Sequence, residues 1–277
     1  MLLTVPNVSE GRDAETIWAV GDAFAATGAR LLDVHSDEDH HRTVYTLAGR
    51  PGELAPALAE GAAEARERID LTGPRGQHPH VGALDVAPVV FLDDARRGAA
   101  CAEALLAADL LGELGLPVYL YGALAGGRTR AELRRGGIDG LRTIAPDFGP
   151  PTITDRTGAV LVAARPPLVA FNLELAEDAT LATARRVAAA IRDGGEHGLP
   201  GVRALGMSLD GGRVAQVSTN VEDHRAVPLA ELLQAVRRHA RVRAAELVGL
   251  APAAAFAGWP DDVPVRNRRT LEEAGVR

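Results

Sequence analysis

The apolar residues of this chain change period in a fixed order, and the order occurs twice. Residues 2–5 suit a short strand, and over 13–27 Ile17, Val20, Gly21 and Phe24 recur at helical spacing until Gly28 ends the pattern. Residues 30–35 and 43–48 read as strands on either side of the polar stretch 36–41, the second alternating through Val44, Tyr45, Thr46 and Leu47. A helix is predicted over 51–69, opening on Pro51, and a strand over 83–92 closes the set. The second half repeats this order. A strand over 168–173 leads to a helix over 178–192 with Leu181, Ala184, Val187, Ala188 and Ile191 turned inward. Strands over 202–209 and 213–219 make a hairpin around Asp210-Gly211-Gly212, a helix follows over 229–241, and 246–250 is the last strand. The halves share topology without obvious residue identity. The predicted class is therefore α+β, two ferredoxin-like βαββαβ units over residues 1–167 and 168–277 that meet near Pro166-Pro167.

Between the two patterns lie a predicted helix over 94–114, a strand over 118–121 and a turn region rich in Gly and Arg. It ends in Ala145-Pro146-Asp147-Phe148-Gly149-Pro150-Pro151, a stiff, open backbone that suits either a linker or a surface for a flat ligand close to main-chain atoms. The charged tail after Trp259 is expected to be loosely held.

Composition narrows the function. A net charge of −7 argues against a broad nucleic-acid footprint, and no run approaches the roughly 20 apolar residues of a membrane helix. The N-terminus lacks the pattern of a secretory signal, and the single Cys101 has no intrachain disulfide partner, so a cytoplasmic protein is expected. Arginines cluster at Arg128, Arg130, Arg134, Arg135 and Arg142, where an anion site is open, and at Arg237, Arg238, Arg241 and Arg243, which read as a solvated helix face.

The chemistry concentrates in Gly76-Gln77-His78-Pro79-His80-Val81-Gly82-Ala83-Leu84-Asp85-Val86. It sets an imidazole that can titrate near neutral pH beside a proline that restricts its backbone, at the mouth of a predicted buried strand. The stretch from His35 to Arg42 carries His35, Asp37, Glu38, Asp39, His40 and His41, ligand types that raise a metal reading. Neighbouring residues on one short loop cannot all converge, so no metal is expected there. Ser9, Glu10 and Asp13 are candidate caps at a helix start that has the means to hold an anion. No phosphate loop, dinucleotide fingerprint or Gly-x-Ser-x-Gly elbow occurs.

Eight stretches in order resemble the glutamate formiminotransferase family. They are Val5-Pro6-Asn7-Val8-Ser9-Glu10-Gly11, Leu31-Leu32-Asp33-Val34, Arg42-Thr43-Val44-Tyr45-Thr46, and His78-Pro79 with Gly82-Ala83-Leu84-Asp85-Val86. They continue with Pro117-Val118-Tyr119-Leu120-Tyr121-Gly122, Ala145-Pro146-Asp147-Phe148-Gly149-Pro150, Ala170-Phe171-Asn172 and Ala215-Gln216-Val217-Ser218-Thr219-Asn220. The resemblance implies two α/β subdomains around a central folate groove and transfer of a formimino group from N-formimino-L-glutamate to N5 of tetrahydrofolate. Tetrahydrofolate is then a co-substrate, and the form expected is the one without a cyclodeaminase domain. It implies that His78 is the catalytic histidine. The folate-contacting stretch it implies is Gly149, Pro150, Pro151, Thr152, Ile153, Thr154, Asp155, Arg156, Thr157 and Gly158. Asn7, Arg42, Arg75 and Asn172 are candidate substrate contacts, with Arg42 or Arg75 pairing substrate carboxylates. A homodimer is expected, with small molecules rather than nucleic acid or membrane as partners.

The chain departs from the family at His80, where a basic residue often follows His-Pro, and at His35 and His41, where animal members carry acidic and amide residues. The alternatives are a homologue using another one-carbon donor or acceptor, and a folate-binding protein without turnover.

Overall fold

The computed structural model describes residues 1–73, 76 and 78–276. They form two compact units, Met1–Pro166 and Pro167–Arg277. In the first unit the chain order is β1 (Leu2–Thr4), β2 (Asn7–Val8), α1 (Ala14–Ala25), β3 (Arg30–Asp37), β4 (Arg42–Gly49), α2 (Leu54–Arg68) and β5 (Leu84–Val90). It continues through α3 (Arg97–Glu113), β6 (Val118–Leu120), α4 (Arg130–Leu133), α5 (Gly137–Leu141) and β7 (Val160–Arg165). β1 and β2 flank Pro6, and each pairs antiparallel with both β4 and β5. With β3 beside β4 this gives the antiparallel ferredoxin-like order.

The sheet then departs from the predicted unit, because β7 adds parallel to β5 and β6 parallel to β7. The run Ala159-Val160-Leu161-Val162-Ala163-Ala164 has no alternation because both of its faces are buried. Val160, Val162 and Ala164 join the core under the helices, while Leu161 and Ala163 pack with Val86, Tyr119, Tyr121, Leu133 and Leu141 on the other side.

Local chemistry fixes the helices. Asp13 caps α1 by accepting the Glu15 N–H at 3.1 Å, and Ile17, Val20, Gly21 and Phe24 are buried as their spacing predicts. Phe24 stacks against Tyr45 at 5.1 Å and against α2, where a Cβ on Gly61 would stand 2.1 Å from its ring. α2 begins at Leu54 rather than Pro51. The buried Glu103 of α3 accepts the N–H groups of Gly52, Leu54 and Ala55 at 2.5, 2.9 and 2.7 Å, so a carboxylate distant in sequence caps the helix.

The second unit runs β8 (Val169–Leu175), α6 (Leu181–Ile191), β9 (Val202–Leu209), β10 (Val214–Val221), α7 (Leu229–Arg237), β11 (Val242–Val248) and β12 (Val265–Arg266). Its sheet order, β12-β11-β8-β10-β9, is again the ferredoxin-like one with an added parallel strand. β11 starts four residues before the predicted strand, where an irregularity between Val242 and Ala244 breaks the alternation. The tail after Trp259 corrects the expectation that it is loosely held. Val263, Thr270, Leu271 and Val276 are buried, β12 pairs with β11, and Trp259 donates its indole N–H to the Val263 carbonyl at 2.9 Å. These apolar residues follow no helix or strand period, which is why the segment reads as loosely held. Among the described residues no helix is long and apolar enough to cross a membrane.

Candidate functional site

The residues around His78 come from four places in the first unit. β4 opens on Arg42, β5 carries Asp85, the turn after α4 carries Arg134, and the segment before β5 carries His78. α4 is a single turn held by a reciprocal cap, in which Thr129 Oγ1 accepts the Glu132 N–H at 3.2 Å and Glu132 accepts the Thr129 N–H at 2.7 Å. That turn delivers Arg134 to β5. Gly76 fixes the approach of the His78 segment, since a Cβ there would lie 2.2 Å from the His40 carbonyl oxygen.

Asp85 is the hub. Its carboxylate has no exposed surface, and it accepts the Val81 N–H at 2.8 Å, Arg42 Nη1 at 2.6 Å and Arg134 Nη2. Burial alone would raise its pKa, but Arg134, Arg42 and the hydrogen bonds hold it well below the usual carboxylate range. Arg42 is oriented from its other edge, where Nε donates to Asn7 Oδ1 at 2.8 Å, and the Asn7 amide in turn donates to the Val5 carbonyl at 2.9 Å.

His78 is half-buried, with Nδ1 3.4 Å from Arg42 Nη1. A guanidinium nitrogen can only donate, so the Nδ1 lone pair faces Arg42. Burial first, then Arg42 and Arg134, push the pKa of His78 well below its ordinary value, against the opposing pull of Asp85. The ring is therefore neutral near pH 7. His40 stands beside it, ring centroids 6.2 Å apart, and is clamped by Asp37, which accepts His40 Nδ1 at 2.9 Å and the His40 N–H at 2.7 Å.

The stretch from Gly149 to Gly158 meets the segment that follows His78. It is no free linker, because the Asp147 N–H donates to the Val118 carbonyl at 2.8 Å and Asp147 Oδ2 accepts the Leu120 N–H at 2.7 Å. Gly149 turns with φ +76°, where a Cβ would meet the Leu116 carbonyl oxygen at 2.2 Å. Ile153 is buried, whereas Pro151, Thr152, Thr154, Asp155 and Arg156 are exposed. The far end docks on the residues that follow His78, with the Ala83 N–H on the Thr157 carbonyl at 2.9 Å and the Ala159 N–H on the Val81 carbonyl at 2.8 Å. Gly82 and Gly158 allow this contact, since a Cβ on Gly82 would stand 1.9 Å from the Ala159 carbonyl oxygen and one on Gly158 2.1 Å from that of Val81.

The structure thus brings His78, Arg42 and Asn7 together and docks the far end of the 149–158 stretch on Val81, Gly82 and Ala83. Arg75 lies outside the described residues. Asn172 belongs to the second unit, where it is buried on β8 and donates to Glu246 at 3.2 Å. The helix start at Ser9–Asp13 is closed to an outside anion. Glu10 accepts the N–H groups of Gly11, Arg12 and Asp13 at 2.8, 2.7 and 3.0 Å, and Ser9 donates to the Gly82 carbonyl at 2.7 Å. The histidines of the 35–42 stretch are divided between different partners, His40 to Asp37 and His41 to Glu10. Among the described residues no group of three His, Cys, Asp or Glu side chains is gathered to hold a metal. Arg128 is engaged by Asp147 and by the Leu120 carbonyl.

Asp85 and Arg134 complete the cluster around His78; the sequence offers Arg134 only as one arginine of a candidate anion site and gives Asp85 no role. The available signal was a lone carboxylate inside an otherwise apolar strand, a position tolerated only when the charge is paired.

Residues 1–165 match the N-terminal subdomain of the formiminotransferase domain, and residues 170–259 match the formiminotransferase domain. The formimidoyltransferase-cyclodeaminase of Sus scrofa is 38% identical over 273 residues, covering 90% of this chain and 49% of the relative. The chain thus spans about half the length of such two-function relatives. The glutamate formimidoyltransferase of Streptococcus pyogenes serotype M1 is 34% identical over 268 residues, covering 91% of this chain and 89% of the relative. That of Thermoplasma acidophilum is 34% identical over 271 residues, covering 90% and 87%. With both domain matches in order and relatives of similar length aligned nearly end to end, the chain belongs to the formiminotransferase family.

Proposed function

We propose that this chain transfers the formimino group of N-formimino-L-glutamate to N5 of tetrahydrofolate, releasing L-glutamate, with His78 moving the proton. The observation that carries the reading is the half-buried imidazole of His78, its Nδ1 3.4 Å from Arg42 Nη1 at the edge of the Arg42–Asp85–Arg134 cluster, in a chain aligned nearly end to end with glutamate formimidoyltransferases. N5 attacks the formimino carbon and a tetrahedral centre forms. The proton lost by N5 passes to the ring of His78, which gives it to the glutamate nitrogen as the old C–N bond breaks. The amidine remains on N5 and glutamate leaves as a neutral amine. A ring held neutral at pH 7 is free to take the first proton. Its conjugate acid, formed beside two guanidinium groups, gives that proton up readily, so one histidine serves both steps. Residues 149–158 would hold the folate beside this ring, and the cluster's cations would hold the carboxylates of the glutamate moiety, contributing catalysis by position.

The test mixes the purified protein with N-formimino-L-glutamate and measures release of free glutamate with and without tetrahydrofolate. Release that requires tetrahydrofolate is expected. Tetrahydrofolate binding without any release would overturn the assigned donor.

A further inference from the structure

The cluster around Asp85 holds more positive charge and more donors than its own acceptors satisfy. Arg42 and Arg134, among the described residues, share the single carboxylate of Asp85, two guanidinium groups to one anion. Among the described residues, two donors in the same neighbourhood are enclosed without a hydrogen-bond partner, Arg134 Nε and the hydroxyl of Tyr121. Tyr121 is 8% exposed and follows directly on β6, with its N–H fixed to the Val162 carbonyl at 3.0 Å and its ring packed in the cluster that includes Val81, Val86 and Leu133. Leu133, the neighbour of Arg134 in sequence, belongs to that same cluster. Buried donors without acceptors are unfavourable and rare, and two beside guanidinium groups that outnumber their carboxylate describe the complement of an anion. The guanidinium groups stand at the wall of the site and are not sealed within it, with 10% of the Arg42 side chain and 14% of the Arg134 side chain exposed.

We propose that Arg134 and Tyr121 form the subsite for the carboxylate next to the reacting nitrogen of the donor, an inference that rests on the reaction proposed above. In N-formimino-L-glutamate the α-carboxylate is separated from that nitrogen by one carbon, and the γ-carboxylate by three. Arg134 shares an Asp85 oxygen with Arg42, whose Nη1 is 3.4 Å from His78. A carboxylate on Arg134 and Tyr121 is thus close to the imidazole that handles the nitrogen, as the α-carboxylate must be. Its charge also offsets the guanidinium groups beside His78 at the moment the ring has to accept a proton.

Tyr121→Phe tests this, because it removes the hydroxyl and keeps both the ring packing and the Asp85 ion pairs. Wild type and variant are compared on N-formimino-L-glutamate and on N-formimino-4-aminobutyrate, which lacks only the α-carboxylate. Binding of L-glutamate and of 4-aminobutyrate is measured calorimetrically alongside. The variant is expected to lose about tenfold or more in kcat/KM on the full substrate, as for a hydrogen bond to a charged group, and to match wild type on the analogue. L-glutamate binding should weaken in parallel, with tetrahydrofolate binding unchanged. Equal losses on both substrates, or none on either, would overturn the subsite. Absent wild-type turnover would instead overturn the reaction. The subsite would then stand if Tyr121→Phe still weakened L-glutamate selectively over 4-aminobutyrate, and would fall if it did not.

Discussion

Replacing Asp85 with Asn keeps the size of the side chain and removes the one negative charge that two buried guanidinium groups share. The amide keeps a single oxygen for the same three donors, Arg42 Nη1, Arg134 Nη2 and the Val81 N–H, and turns its own N–H groups toward those it cannot accept. Removing one partner from a buried ion pair destabilises by about 3–5 kcal/mol, against a domain stability on the order of 5–15 kcal/mol. The loss should appear in amide hydrogen exchange across β5 and β7, which reports the first unit alone. The pH dependence carries a second signature. Because the folded pKa of Asp85 is depressed, its stabilisation is fully present above the unfolded value of about 4 and is lost as pH falls through the folded value. The gap between wild type and variant should therefore be flat from about pH 5 to 8 and shrink below about pH 4, by up to ~1.4 kcal/mol per pH unit. A gap under about 1 kcal/mol at pH 7 would refute the buried-cluster account, since an exposed pair is worth no more than that. So would a gap that does not change with acid.

Other outcomes follow from the same geometry. The depressed pKa of His78 means that wild type loses stability as pH falls from about 6.5 toward the folded value, so His78→Ala should flatten the urea midpoint across that window. An unchanged slope would place the ring in solvent. Gly158→Ala forces a Cβ at φ +68° to within 2.1 Å of the Val81 carbonyl oxygen, so it should lift the 149–158 stretch off the His78 side and weaken tetrahydrofolate affinity in fluorescence titration. Undiminished affinity would remove that stretch from the folate site. Ending the chain after Trp259 strips the buried Val263, Leu271 and Val276 from the second unit, each worth about 1.5–3 kcal/mol. Loss of the second unit's cooperative unfolding transition is expected, and a transition at the wild-type midpoint would contradict the packing.

The parts of this protein that were legible in its sequence are those with a period. Ile17, Val20, Gly21 and Phe24 face the core as their spacing predicts, and both βαββαβ orders appear in the sheets. β7 is legible only as a strand pattern ahead of Pro166-Pro167 and not as a member of the first sheet, because burial on both faces erases the alternation that would mark one face. α2 starts at Leu54 and not at Pro51 because its cap, Glu103, comes from another helix. The tail reads as loosely held because its buried apolar residues follow no regular spacing. In the site, His78 and the 149–158 stretch stood out from local sequence and resemblance. The pairing of Asp85 with Arg134 spans 49 positions and could be read only as an unexplained carboxylate in an apolar strand.

The most direct test of the account compares wild type with His78→Ala, measuring tetrahydrofolate-dependent glutamate release and tetrahydrofolate binding on the same preparations. Turnover is expected to fall by about 10²–10⁴-fold in the variant while folate affinity stays at the wild-type value. Turnover retained within a few-fold would contradict the assignment of the proton to His78.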